Sequence, residues 1–129
     1  MPNKEQKIKI LLVEDDSFLA GMYATKFGLE GFEVKIGADG EEGLKLAKKE
    51  KPDVILLDIL LPKIDGFTVL RKLKKDSKTK LIPVILLTNL GQKDDIKKGL
   101  EEGAEGYLIK AHFMPSEVVE KIKKIINKK

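Results

Sequence analysis

Acidic residues lie at the C-terminal ends of two apolar runs of this sequence, and their positions indicate a site for a divalent cation. Asp58 ends the apolar run 54–57, and the acidic triplet 14–16 follows the apolar run 8–13. Short apolar runs bounded by turn signals are typical of strands buried on both faces. Parallel strands end at one edge of their sheet, where open α/β folds bind ligands. Carboxylates about 4 Å apart repel by roughly 4 kcal/mol at an effective dielectric of 20, so we expect Mg²⁺ to neutralise them.

A hydroxyl and an ammonium group end two further predicted strands, at Thr88 and Lys110. A carboxylate, a hydroxyl, an ammonium group and Mg²⁺ together indicate phosphoryl transfer, where catalysis is mainly positioning and charge neutralisation. Asp58 would be the nucleophile and form an acyl phosphate, while Mg²⁺, Thr88 and Lys110 bind the phosphoryl oxygens. Each group alone has an ordinary explanation as a helix-dipole acid, a turn residue or a solvated lysine. Their arrival at one edge of one sheet favours the functional interpretation.

Predicted strands and helices alternate along the chain, which favours a parallel sheet with helices on both faces. The predicted strands are 8–13, 32–36, 54–58, 83–88 and 107–110, and the predicted helices are 17–29, 39–49, 66–73, 94–102 and a last helix that starts at Pro115. The second strand is short and alternates, so it should lie at an edge. The predicted fold class is therefore α/β, a doubly wound, flavodoxin-like, five-stranded parallel sheet of order 2-1-3-4-5.

Local signals mark where the first two helices begin and end. Gly31 is placed to end the first helix, and Asp39 with Glu42 forms a capping box that opens the second. The first helix has an apolar pattern at helical spacing, made by Phe18, Leu19, Met22 and Tyr23.

The composition limits the classes of protein to which the chain can belong. Its 129 residues suffice for one domain, and it has no Cys, which excludes disulfides and thiolate metal sites. No apolar run approaches the roughly 20 residues that span a membrane, and residues 1–7 are too polar for a signal peptide, so we expect a cytoplasmic protein with no membrane insertion. The net charge of +4 fits a solvated Lys/Glu surface. Because the lysines are scattered and aromatic residues are few, we expect no direct nucleic-acid binding.

Four motifs together resemble the receiver domain of two-component response regulators, of the single-domain, chemotaxis-receiver-like kind. They are LLVEDD at 11–16, LLDILLPKIDG at 56–66, LLT at 86–88 and GAEGYLIK at 103–110. The resemblance covers the chain from Ile8 to Ile126. We therefore expect residues 1–7 to form an N-terminal tail and residues 8–127 the receiver domain, with no output domain in this chain.

The resemblance implies roles for the acidic residues. Asp58 would be the phosphoacceptor, with Glu14 and Asp15 as the acidic pair beside it. Mg²⁺ would be bound by Asp15, Asp58 and the backbone carbonyl of Leu60, while Glu14 would act through water.

The resemblance also implies that Thr88 and Lys110 are phosphate partners and that Tyr107 swings inward with Thr88 on phosphorylation. Two residues depart from the family pattern. Asn89 replaces a small residue beside the phosphate, where it would either narrow access or bind the phosphate through its amide. Ala111 replaces a proline, and a cis bond there would cost about 2.5–4 kcal/mol without proline. The Lys110 loop is therefore expected to be trans or shifted.

The expected function is a phosphorylation-dependent switch. A sensor histidine kinase or histidine phosphotransfer protein would phosphorylate Asp58. The change would remodel the face formed by the fourth helix, fifth strand and fifth helix, and so control a downstream effector or a homodimer. The chain would not be a metabolic enzyme, because it would catalyse only its own phosphotransfer and slow dephosphorylation.

Two rival functions fit parts of the pattern. A phosphatase of the haloacid-dehalogenase type would need a second acid two residues after its nucleophile, and Leu60 stands there. A flavodoxin-like cofactor binder would need a phosphate-cradling loop after the first strand, and that loop is acidic.

Overall fold

Strands and helices alternate throughout the part of the chain that the computed structural model describes, residues 7–88, 93–109 and 115–127. The strands are β1 (Lys9–Val13), β2 (Glu33–Gly37), β3 (Val54–Asp58), β4 (Val84–Thr88) and β5 (Gly106–Ile109). The helices are α1 (Ser17–Leu29), α2 (Gly40–Glu50), α3 (Gly66–Lys75), α4 (Lys93–Glu101) and α5 (Pro115–Asn127). The strands form one parallel sheet in the order β2-β1-β3-β4-β5, so the predicted fold class and topology are confirmed.

Each face of the sheet packs against its own apolar cluster. The cluster on one face joins β1, β3 and β4 to α1 and α5 through residues such as Leu12, Phe27 and Ile122. The cluster on the other face joins the same strands to α3 through residues such as Leu57 and Leu70. β3 and β4 are buried along their whole length, because helices cover both of their faces.

Side-chain caps fix the starts of three helices. Asp16 caps α1, Asp39 caps α2 and Asp65 caps α3, each by accepting a hydrogen bond from a backbone N–H three residues on. The return hydrogen bond of the predicted box is shifted by one residue, because Glu42 accepts from the N–H of Ala38, which precedes the N-cap, at 2.8 Å. Gly31 follows α1 with a φ of 91°, as its predicted role at the helix end requires.

The predicted element bounds were wrong by one or two residues at several ends. β4 begins at Val84 and not at Pro83, and α3 continues to Lys75, two residues past its predicted end. Helix and strand ends depend on backbone hydrogen bonds that sequence pattern does not resolve. The predicted end of the fifth strand, Lys110, lies outside the described residues.

The apolar pattern of α1 does not form one buried face. Ala20, Tyr23 and Phe27 are buried against the sheet, whereas Phe18 is 77% exposed and Met22 is 46% exposed. The spacing was helical as predicted, but α1 carries apolar residues around most of its circumference, and periodicity then cannot select the side that meets the sheet. In the part of the chain that the structure describes, none of the helices has both the length and the continuous apolar character of a membrane span.

Candidate phosphoryl and metal site

Asp58 is a buried carboxylate at the carboxyl edge of the sheet. It ends β3 and is only 5% exposed. β3 is central, since it pairs with β1 on one side and with β4 on the other, where Asp58 lies opposite Leu87. The Leu60 N–H donates to Asp58 Oδ1 at 3.1 Å, which restrains the carboxylate. A buried, oriented carboxylate at a strand end is costly unless it is hydrogen-bonded or binds a ligand.

Glu14, Asp15 and Asp58 form a cluster in which one carboxylate oxygen from each lies within 4.8 Å of the others. Glu14 is only 2% exposed, whereas Asp15 faces solvent. At 4.8 Å two unit charges repel by about 3 kcal/mol at an effective dielectric of 20. Because all the donors are carboxylate oxygens and one side is open to water, the cluster fits Mg²⁺, which takes few protein ligands and keeps several waters.

The turn after β1 separates the three acids of the triplet. The Glu14 N–H donates to the Gly37 carbonyl at 3.0 Å, which continues the β1–β2 pairing past the strand end. The Asp16 N–H donates to Glu14 Oε2 at 3.2 Å, while Asp16 Oδ1 accepts from the Leu19 N–H at 3.0 Å and caps α1. Glu14 and Asp15 therefore belong to the carboxylate cluster with Asp58, whereas Asp16 caps the N-terminus of α1.

The loop between β3 and α3 folds back tightly onto Asp58. The Gly66 N–H donates to the Ile59 carbonyl at 2.8 Å. A Cβ at Gly66 would collide with the Asp58 carbonyl oxygen and lie 2.6 Å from the Ile59 Cα, so only glycine allows this approach. Leu60, at the start of the loop, is 63% exposed. Its backbone is therefore beside the acidic cluster while its side chain lies largely in solvent.

Thr88 lies at the same edge, one residue beyond Leu87, the register partner of Asp58. It ends β4 and is 3% exposed. Its own partner across the sheet is Ile109, the last residue of β5. Lys110, the other predicted phosphate partner, and Asn89, predicted to lie next to the phosphate, are outside the described residues, as are Ala111 and the single histidine, so their roles stay predictions.

Tyr107 stands two residues before the end of β5, opposite Leu86 of β4, and is 37% exposed. Side chains alternate along a strand, and register partners share a face. Tyr107 and Ile109 therefore share the face of Leu86 and Thr88. This placement makes Tyr107 a diagonal neighbour of Thr88, as an aromatic coupled to the site would need to be.

Tyr23 on α1 was missed as a site neighbour by sequence reasoning. It is 4% exposed and stacks on Phe27 with a centroid separation of 6.0 Å. Burial, followed by the negative charges of Glu14 and Asp58, raises the pKa of Tyr23 to about 12. The sequence offered only its place in an apolar pattern, which predicts core and not proximity to carboxylates.

Known proteins share both this sequence pattern and this fold. The family model of the response regulator receiver domain matches residues 10–123. The chain is 37% identical over 120 residues to the DNA-binding dual master transcriptional regulator RpaA of Synechocystis, covering 93% of this chain and 49% of that protein. The chain spans about half the length of the curated relatives it matches, 47% of a ycf27 regulator of Guillardia theta for example.

Solved receiver domains superpose closely on the chain. One is a CheY-like receiver domain protein of Methanospirillum hungatei, with a TM-score of 0.88, 29% identity and coverage of 95% of this chain and 96% of that one. Another is the receiver domain of a sensor histidine kinase of Pseudomonas aeruginosa, solved with a magnesium ion coordinated in its active site cleft. It has a TM-score of 0.86, 28% identity and coverage of 95% and 99%. The chain belongs to the response regulator receiver domain family.

Proposed function

We propose that this chain is a phosphorylation-dependent switch that accepts a phosphoryl group on Asp58 from a sensor histidine kinase or a histidine phosphotransfer protein. Receiver domains act as signalling switches, and this chain is one. The observation that carries the assignment to Asp58 is its position: it is buried at 5% exposure, and its carboxylate shares a cluster with Glu14 and Asp15.

The proposed step is an in-line displacement at phosphorus. An Asp58 carboxylate oxygen forms a bond to the phosphorus of a phosphohistidine, the phosphorus–nitrogen bond breaks, and the imidazole leaves with the electron pair and takes up a proton. The product is an acyl phosphate on Asp58. The Leu60 N–H, 3.1 Å from Oδ1, keeps the carboxylate from rotating during the approach.

Asp15, Asp58 and the backbone carbonyl of Leu60 would hold Mg²⁺, with Glu14 acting through water. When bound, the ion offsets the charge of the carboxylates and of the phosphoryl oxygens. The carboxylate-only donor set supports this assignment, as does the magnesium ion in the related kinase receiver domain. An acidic cluster without a cation would repel a phosphate donor, so we expect phosphorylation to require the metal.

Thr88 and Lys110 would bind the remaining phosphoryl oxygens, and Asn89 would lie next to the phosphate. Movement of Thr88 toward the phosphate frees space on its face of the sheet, and Tyr107 is the diagonal neighbour that can fill it. The face made by α4, β5 and α5 then changes shape and controls a protein effector or a homodimer. β5 suits this role because it is an edge strand with a half-exposed tyrosine.

Intact mass measured after incubation with Mg²⁺ and a small phosphodonor such as acetyl phosphate tests the acceptor. We expect the mass of one phosphoryl group in the wild type and none in Asp58→Asn, which keeps the side-chain shape and removes the nucleophile. Asp53→Asn is the matched control, because Asp53 is an exposed aspartate just before the same strand. A phosphoryl group on Asp58→Asn would contradict the proposal and indicate a different acceptor. Turnover of a generic phosphate ester at catalytic rates would also contradict it and indicate a phosphatase.

The partner class is proposed from the family alone. The Synechocystis relative is named a DNA-binding regulator, and this chain matches about half of it. That this chain itself has no direct contact with nucleic acid, and that it is cytoplasmic, stay predictions. A gel-shift assay with duplex DNA at low salt checks the first of them.

A further inference from the structure

The Lys121 ammonium of α5 lies over the ring of Tyr107 on β5, with Nζ 5.8 Å from the ring centroid. The ring face of tyrosine carries negative charge density, and a cation within about 6 Å of its centroid is attracted to it. Tyr107 is 37% exposed in this arrangement and Lys121 is partly buried. The contact therefore links Tyr107, the aromatic residue of the proposed switch, to α5 while the tyrosine ring is partly exposed. We call this partly exposed arrangement the outward conformation.

The contact requires Lys121 to cross an edge strand. Gly106 and Leu108 alternate with Tyr107 along β5, and Leu108 packs against the cluster that contains Val118 and Ile122 of α5. Tyr107 consequently points to the opposite face of the sheet from α5. Since β5 is the last strand of the sheet, a long side chain from α5 can pass around it and reach the ring.

Gly106 provides the passage. A Cβ at Gly106 would lie 3.0 Å from Lys121 Cε and 3.5 Å from Nζ. The distance to Cε is shorter than an ordinary van der Waals contact. Gly106 itself is buried. A methyl group at Gly106 would therefore force the end of the Lys121 side chain to shift by a few tenths of an ångström from its position beside Tyr107.

From this geometry we infer that Lys121 is a positioning residue that holds Tyr107 in its outward conformation and so opposes activation of the switch. The inference rests on the proposed function, because it assigns a resting-state partner to the residue that moves. When Tyr107 turns inward, toward Thr88, its ring leaves the ammonium, and the attraction is lost. The lysine therefore raises the cost of the active conformation and lowers the sensitivity of the chain to phosphorylation.

The size of the effect follows from the strength of such contacts at partly exposed sites. Loss of the ammonium should shift the ratio of inward to outward Tyr107 about two- to fivefold. A phosphoryl mimic binds the inward conformation preferentially, so its apparent dissociation constant should fall by the same factor wherever the outward state dominates.

Fluorine NMR of the full chain labelled with 3-fluorotyrosine tests this inference. The chain has two tyrosines, so two resonances are expected, and Tyr23→Phe identifies that of Tyr107. Lys121→Met keeps an unbranched side chain as far as Cε and removes the charged ammonium group. In the absence of any mimic, its Tyr107 resonance should move toward the position seen with saturating beryllofluoride and Mg²⁺, and beryllofluoride should bind about two- to fivefold more tightly.

Three further variants separate positioning from general charge or stability effects. Lys121→Arg should behave as the wild type, because the guanidinium also stacks on aromatic faces. Lys124→Met removes the same charge from an exposed position one turn on and should change nothing. Gly106→Ala, which makes the end of the Lys121 side chain shift slightly, should move the Tyr107 resonance in the same direction as Lys121→Met but by less.

An unmoved resonance in Lys121→Met, or an equal shift in Lys124→Met, would overturn the inference. So would a wild-type Tyr107 resonance that does not respond to beryllofluoride. Failure of the proposed function would be detected by a separate assay, as the absence of a phosphoryl group on Asp58 after incubation with acetyl phosphate. The Tyr107 resonance measured without beryllofluoride tests the Lys121 contact alone.

Discussion

Replacing Asp58 with Asn should stabilise the fold when no divalent cation is present. Carboxylate oxygens of Glu14, Asp15 and Asp58 lie within 4.8 Å of one another, so two of these charges repel by about 3 kcal/mol at an effective dielectric of 20. Asn keeps an oxygen to accept from the Leu60 N–H and removes the charge. Because Asp15 is exposed and its charge is screened, we expect the free energy of unfolding to rise by about 1–3 kcal/mol.

Urea unfolding followed by circular dichroism in a chelating buffer measures this gain. A rise of about 2 kcal/mol moves the midpoint by roughly 1 M if the slope is near 2 kcal/mol per M. Mg²⁺ should stabilise the wild type by mass action and stabilise Asp58→Asn much less, so that the two proteins converge as the metal is added. Glu120→Gln, which removes an exposed carboxylate of α5, is the control for net charge.

Two results would refute the reasoning. One is an Asp58→Asn variant that is less stable than the wild type in the chelating buffer, because the carboxylates would then not repel one another appreciably. The other is an equal gain from Mg²⁺ in both proteins, because the ion would then bind elsewhere.

Three other measurements test the neighbours of this cluster. Asp15→Asn should weaken Mg²⁺ binding strongly, by about tenfold or more, whereas Asp16→Asn should change it little because Asn still caps α1; equal losses in a calorimetric titration would mean the ligands are misassigned. The raised pKa of Tyr23, about 12 against 10.0, means that the folded state keeps a proton that the unfolded chain releases. Stability should therefore be unaffected by this group below about pH 10 and should fall by about 1.4 kcal/mol per pH unit up to about pH 12. Tyr23→Phe should lack that component in urea unfolding at about pH 9 and about pH 11, and an unchanged pH dependence would argue against it. Leu60→Asn should speed hydrolysis of phospho-Asp58 about tenfold, which is a barrier change of about 1.4 kcal/mol, because leucine cannot orient the attacking water and asparagine can. The loss of phosphoryl mass with time measures the rate. An unchanged rate would show that positioning of water by residue 60 does not limit hydrolysis.

The sequence by itself determined the alternation of strands and helices, the sheet order and the edge at which the acids gather. These features depend on local patterns: fully apolar runs for the central strands, Asp39 and Gly31 at helix ends, and an acid directly after each of two strands. Local signals of this kind are reliable here, because an apolar run as short as 54–57, bounded by turn signals, is best buried as a strand with helices on both faces of the sheet. The position of Asp58 at the carboxyl edge followed directly from them.

Only the tertiary structure decided which residues actually meet. Periodicity placed Phe18 and Tyr23 in one apolar pattern, and packing against the sheet buried one and left the other 77% exposed. The charge of Asp58 contributes to the raised pKa of Tyr23, and the Lys121 side chain passes Gly106 to contact the ring of Tyr107. Such contacts join residues far apart in the chain, and they depend on strand register, on the rotation of helices about their axes and on the space left by a glycine. No local pattern encodes these quantities, because they arise only when the elements pack together.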